Sequence, residues 1–202
     1  MIDLPTDLPA DLVPFAWLIG VWEGTGVIDY EASGHRFSGE FAHRVSFSHD
    51  GGDYLNYSAT AWLLGDDPDA PREPLVAEMG FWRLSRQSTD ADPGPGLLPA
   101  IEGPSTRTAD DVEALRNAGG GFDIEVSLVH ADGVSELYLG QIRGPRIDIA
   151  TDAVVRTAGA KNYAAATRMY GLVENHLLWA WDIAALGTEL SSHASARLAR
   201  AD

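Results

Sequence analysis

The spacing of the turn residues constrains this chain more than any other feature. Short clusters such as His49-Asp50-Gly51-Gly52, Ala131-Asp132-Gly133, Arg143-Gly144-Pro145 and Glu174-Asn175 separate runs rich in Val, Ile, Tyr, Trp and Thr. Gly, Asn and Asp tolerate the positive φ of tight hairpins, and the runs between them have strand composition. Ten such runs are read, at 17–30, 37–48, 53–63, 76–85, 122–130, 134–142, 146–155, 162–173, 176–185 and 189–199. The last also fits a helical stripe through Leu190, Ala194 and Leu198. A strand is favoured there because the sheet needs a closing partner. Short connections make consecutive strands antiparallel, and about ten strands must close or stack to remove their edges. In the run 122–130, Ile124, Val126 and Leu128 fall on one face and Glu125 and Ser127 on the other. One face is dry and one wet, as in a barrel wall. The expectation is an all-β chain, a ten-stranded antiparallel up-and-down β-barrel.

Two stretches break this pattern. Residues 5–16 read as a short N-terminal helical turn, capped by Asp7 with Pro9 in its first turn, whose apolar residues plug a barrel end. Residues 86–121 are rich in Pro, Gly and Asp and hold no good strand. A connection this long is either functional or irregular. It is read as a mobile insertion in a single domain spanning 1–202, with a lid over a site as the other reading.

Composition narrows the function. The chain has no cysteine, which excludes thiolate catalysis, disulfide scaffolds, Cys-based metal sites and thiolate-ligated haem. Its net charge of −16 argues against nucleic acid or an anionic membrane as partner. The charge is uneven: residues 1–121 carry 20 acids and 7 bases, residues 122–202 carry 10 and 7. The C-terminal part, which holds the sole lysine, Lys161, is the better place for an anionic ligand. No apolar run reaches the roughly 18–20 residues of a membrane span, and the acidic, Pro-bearing N-terminus is unlike a secretory signal. A cytoplasmic location is expected.

Among the motifs, Gly20-Val21-Trp22-Glu23-Gly24-Thr25-Gly26 lacks the Lys-Ser/Thr of a phosphate loop. Glycines alternating with Trp22 on a strand read as a barrel corner where another backbone approaches closely. Lys161 is a lone cation able to pair with a carboxylate at a pocket mouth. Taken by itself, His193 reads as a surface or turn residue. His35, His43, His49, His130 and His176 show no metal-type spacing and read as solvated or turn residues. The acid pairs Asp66-Asp67 and Asp110-Asp111 fall in loops, and no nucleophile elbow is present.

The order of these pieces carries a resemblance. The stretch from Leu18 to Gly26 is similar to the Gly-x-Trp-x-Gly-x-Gly signature of the nitrobindins, haem-binding barrels shaped like lipocalins and fatty-acid-binding proteins. The similarity continues through Phe47-Ser48-His49-Asp50-Gly51, Glu78-Met79-Gly80-Phe81-Trp82-Arg83, Val129 to Glu136, Thr151 to Lys161, and Gly187 to His193. It covers residues 12–200 apart from 86–121. The resemblance implies haem b near one end of the barrel, with His193 as axial iron ligand and Lys161 contacting the haem. It implies binding of nitric oxide and isomerisation of peroxynitrite to nitrate at ferric haem. The protein supplies the pocket and the proximal imidazole, and the iron carries the chemistry. Related barrels pair, which raises a homodimer. This chain departs from the family in its insertion of about thirty residues and in having His43-Arg44 where relatives carry adjacent acids. The rival readings are a haem-free carrier of a small hydrophobic ligand and an interaction domain using 86–121.

Overall fold

The computed structural model describes residues 8–32, 34–65, 72–102 and 106–201. Asp7 and the pair Asp66-Asp67 lie outside the described residues. Ten strands form one closed barrel: β1 Gly20–Ala32, β2 His35–Ser48, β3 Tyr54–Leu63, β4 Glu73–Leu84, β5 Phe122–His130, β6 Val134–Arg143, β7 Arg146–Arg156, β8 Tyr163–Val173, β9 His176–Ala185 and β10 Ser191–Ala201. Each strand pairs antiparallel with its neighbours in sequence, and β1 closes the cylinder against β10. Closure gives every strand a neighbour on both sides, although β7 and β8 are paired only from Arg146↔Gly171 to Ala150↔Thr167. The last run is therefore a strand, as a barrel requires.

The side-chain alternation fills the interior. Ile124, Val126 and Leu128 of β5 point inward and are 1% exposed or less, beside Trp22, Phe47, Trp82, Tyr138 and Tyr170. Fully burying side chains of this size contributes about 1.5–3 kcal/mol each.

The two barrel ends differ. A 3-10 helix, Ala10–Phe15, follows Pro9 and inserts the fully buried Leu12 and Phe15 into one end. Trp22 fills the space beside them, its Nε1 donating to the Leu18 carbonyl at 2.7 Å. The segment between β4 and β5 packs at this same end. Its short helix α1, Ala109–Glu113, is closed by a reciprocal Thr108–Asp111 capping box and buries Val112 near the plug. Arg107 joins it to Asp11 of the plug at 2.7 Å and to Asp53 at 3.0 Å. The described residues of the segment thus stand at the far end from the cavity described below and do not line it.

The glycines of β1 serve the closing seam. A Cβ on Gly24 would lie 2.2 Å from the Arg197 carbonyl oxygen. One on Gly26 would lie 2.3 Å from the Ser195 oxygen and 2.5 Å from the Phe41 ring. Only hydrogen at these positions lets β10 approach this closely.

Candidate functional site

The open end of the barrel holds a cavity of about 410 Å³, within the size range of small-molecule and cofactor sites. Ile28, Tyr30, Phe41, Trp179 and Trp181 make an apolar wall, His130 and Tyr163 a polar one, and Lys161, Glu73, Asp132 and His193 also face it. A larger depression, about 840 Å³, lies on the outer side of β5–β10 around Asp123, Asp148 and Asp182 and contains no histidine. The enclosed cavity is the candidate site, and it draws on both halves of the chain rather than on the less acidic one alone.

His193 reaches the cavity through an irregularity. On β10 the inward positions are Ala194, Ala196 and Leu198, so strict alternation would place His193 outside with Ser195 and Arg197. The register breaks there: Ser192 pairs with Asp182 and Ala194 with Trp181, leaving His193 as the extra residue of a β-bulge. A bulge re-aims a side chain. The imidazole lies 4.3 Å from the Tyr30 ring and meets Trp181 edge-on at 5.5 Å, centroid to centroid. Burial lowers its pKa to about 4. At neutral pH the ring is uncharged, and neither nitrogen is hydrogen-bonded to a described residue. A second bulge, with Ala164 as the extra residue of β8, shifts the alternation so that Tyr163 faces the cavity.

Below the cavity lies a buried charged network. Arg168 of β8 is completely buried and grips Glu78 of β4 with both terminal nitrogens, at 2.6 and 2.9 Å. It also reaches Glu136 of β6 at 3.2 Å and lies 4.7 Å over the Trp181 ring. Glu136 contacts His130 Nε2 at 2.6 Å and accepts from the hydroxyls of Tyr138 at 2.6 Å and Tyr163 at 2.7 Å. Burial alone would raise the Glu78 pKa, but Arg168, His130 and the Tyr57 hydroxyl overcome it and bring it to about 2. The Glu136 pKa is likewise lowered, with burial opposed by His130, Arg168 and the two tyrosines. Both carboxyl groups are therefore ionised around one guanidinium. Buried charge of this kind is costly unless fully paired, and such clusters concentrate at functional sites.

With this geometry in hand, comparison with known proteins is decisive. A family described as "THAP4-like, heme-binding beta-barrel domain" matches residues 11–200. The chain belongs to this haem-binding barrel family, the nitrobindins. It is 65% identical over 202 residues to a protein of Leifsonia xyli subsp. xyli and 59% identical to one of Clavibacter michiganensis subsp. michiganensis, both named peroxynitrite isomerase. In each case the match covers 100% of both chains. The crystal structure of Rv2717c from M. tuberculosis aligns with a TM-score of 0.67 at 22% identity, covering 99% of this chain and 100% of that one. It has the same fold.

The cavity suits the family's haem. A neutral imidazole with a free lone pair is a sound iron donor, an apolar wall accepts a flat macrocycle, and an exposed ammonium at the mouth meets carboxylates. The structure brings Lys161 and His193 to one cavity. It places Gly20, Trp22, Gly24 and Gly26 on β1, Trp22 at the plugged end and Gly24 and Gly26 against β10. Two histidines are not where the sequence placed them. His43 and His130 are 3% and 7% exposed, not solvated, because each falls on the inward face of its strand. His130 is one alternation step beyond Leu128, and Glu78, Glu136 and Arg168 occupy inward positions too. That periodicity was the available signal for the network. No helix among the described residues is long and apolar enough to cross a membrane.

Proposed function

We propose that this protein holds haem b through His193, isomerises peroxynitrite to nitrate with the iron in the ferric state, and reversibly binds nitric oxide. The reading also takes the protein to work in the cytoplasm. The observation that carries it is the uncharged His193 imidazole, hydrogen-bonded to no described residue and turned by a bulge into the cavity beside Tyr30 and Trp181. Haem supplies a Lewis-acidic iron for oxygen and nitrogen ligands. The chain's own residues do the rest. His193 would hold the iron through an imidazole nitrogen and Lys161 would pair with a haem carboxylate at the mouth, while Tyr30 and Trp181 pack against the imidazole and fix its plane. The relatives' names support the isomerase activity.

Titration of the haem-free protein with hemin tests the reading. A Soret band saturating near one equivalent is expected, and His193→Ala is expected to change both the spectrum and the affinity. An unchanged spectrum in His193→Ala would refute the axial assignment. Stopped-flow mixing of the ferric protein with peroxynitrite, with nitrate as the product measured, tests the reaction. Decay no faster than in buffer would refute it.

A further inference from the structure

The proposed reaction gives work to His193, Lys161 and the apolar wall, but none to the polar wall. There, one carboxylate organises two cavity groups. Glu136 Oε2 contacts His130 Nε2 at 2.6 Å, and Glu136 Oε1 accepts from Tyr163 and Tyr138. An ionised carboxylate has no proton to give, so the hydrogen between Glu136 and His130 belongs to Nε2. In its neutral form His130 carries its lone pair on Nδ1, which makes no hydrogen bond to any described residue. This is the arrangement that fixes an imidazole tautomer and steadies the imidazolium once formed.

The surrounding charges favour the same role. Glu78 is matched by the two-pronged Arg168 contact, which leaves Glu136 as the excess negative charge against His130. The titratable and charged groups facing His130 are Glu136 and Tyr138 from β6, Glu78 from β4 and Arg168 and Tyr163 from β8, with Asp132, Lys161, Glu73 and His193 around the same cavity. The tyrosine hydroxyls are held protonated by burial, so each donates to Glu136, and that of Tyr138 also accepts from Arg168 Nε at 2.9 Å. Trp181 stands between the two imidazoles, 5.5 Å from His193 and 6.4 Å from His130.

We infer that His130, positioned by Glu136, is the cavity's base: its Nδ1 removes the proton from the acid form of peroxynitrite as that molecule enters. The inference rests on the isomerase reading. The O–H bond of peroxynitrous acid breaks, an N–H bond forms at Nδ1, and no electrons change hands. The imidazolium is paired with Glu136. The anion rearranges to nitrate without further proton traffic, and His130 returns its proton to water at the mouth.

Two measurements test this. Nitrogen NMR of the haem-free protein labelled at histidine, followed across pH, is expected to show the neutral form of His130 with its proton on Nε2 and its lone pair on Nδ1; the opposite tautomer overturns the inference without any variant. Stopped-flow nitrate formation by haem-loaded wild type and His130→Gln, followed across pH, gives the second. Rates of both proteins are taken per bound haem, measured from the Soret absorbance of each preparation. His130→Gln is expected to lose at least about tenfold in rate on the acid side, where the protonated substrate dominates, and little on the alkaline side. Added imidazole is expected to restore part of the acid-side rate. An acid-side rate in His130→Gln equal to wild type refutes the role of His130 and leaves the isomerase reading standing. Absence of nitrate formation by the wild type removes that reading, and this inference with it.

Discussion

Replacing Gly26 by alanine tests how the β1 motif and His193 are connected. The new methyl would sit 2.3 Å from the Ser195 carbonyl oxygen and 2.5 Å from the Phe41 ring. A backbone oxygen cannot swing aside as a side chain can. Relief takes about 1 Å of separation between β1 and β10, or rotation of Phe41 out of its buried place. Overpacking of this sort costs about 1–3 kcal/mol, and weakening one or two seam hydrogen bonds adds roughly 1 kcal/mol each. A loss of about 3 kcal/mol lowers the melting temperature by roughly 6–12 °C in a domain of this size. Thermal denaturation of the haem-free protein followed by circular dichroism reads it directly. Gly159→Ala is the control, since a Cβ there meets nothing within 4 Å. It is expected to be neutral or slightly stabilising. Gly26→Ala is also expected to weaken hemin binding, because Ser195 lies two residues from His193 and Phe41 lines the cavity. A variant that melts within about 2 °C of wild type and binds hemin normally would refute the reasoning.

Three further outcomes are expected. Arg168→Met leaves two buried carboxylates without their cation and is expected to cost about 3–5 kcal/mol in urea unfolding, whereas a loss under about 1 kcal/mol would contradict the pairing described. Lys161→Ala is expected to speed hemin loss by about fivefold at most, the range of an exposed ion pair; an effect as large as that of His193→Ala would rule out a propionate contact. The third concerns acid. His193 titrates near 4 in the folded, haem-free chain, below the roughly 6.5 of an unfolded histidine. As pH falls from about 6.5 to 4, the unfolded state takes up a proton that the folded state refuses, so stability falls through that window and not further below it. His193→Phe lacks this component. Its urea midpoint is expected to drop less than the wild type's between pH 7 and pH 4.5, and equal drops would show that His193 is not desolvated.

The barrel was legible because hairpin turns and alternation are local signals. Gly133, Gly144 and Asn175 do adopt positive φ at the tight connections. The place of the β4–β5 segment was not legible. It depends on Arg107 reaching Asp11 across 96 residues, and no local pattern encodes that pairing. The site divides in the same way. Lys161 and His193 were reached through resemblance, while alternation alone points His193 outward, since a bulge leaves no compositional mark on the strand. His130 is the converse. Alternation from Ile124 through Leu128 points it inward, but a histidine by itself does not announce a buried carboxylate partner six residues on. Glu78 and Arg168, 90 residues apart, meet only when the cylinder closes.

That closure also sets an order of events during synthesis. β10 is the last strand to leave the ribosome, and it carries His193 and completes the seam with β1. A nascent chain through β9 has Lys161, Trp181, Glu136 and His130, but neither the strand that completes the seam nor His193. Under the proposed function, a polypeptide cut short before Ser191 is left without the histidine that would hold the iron.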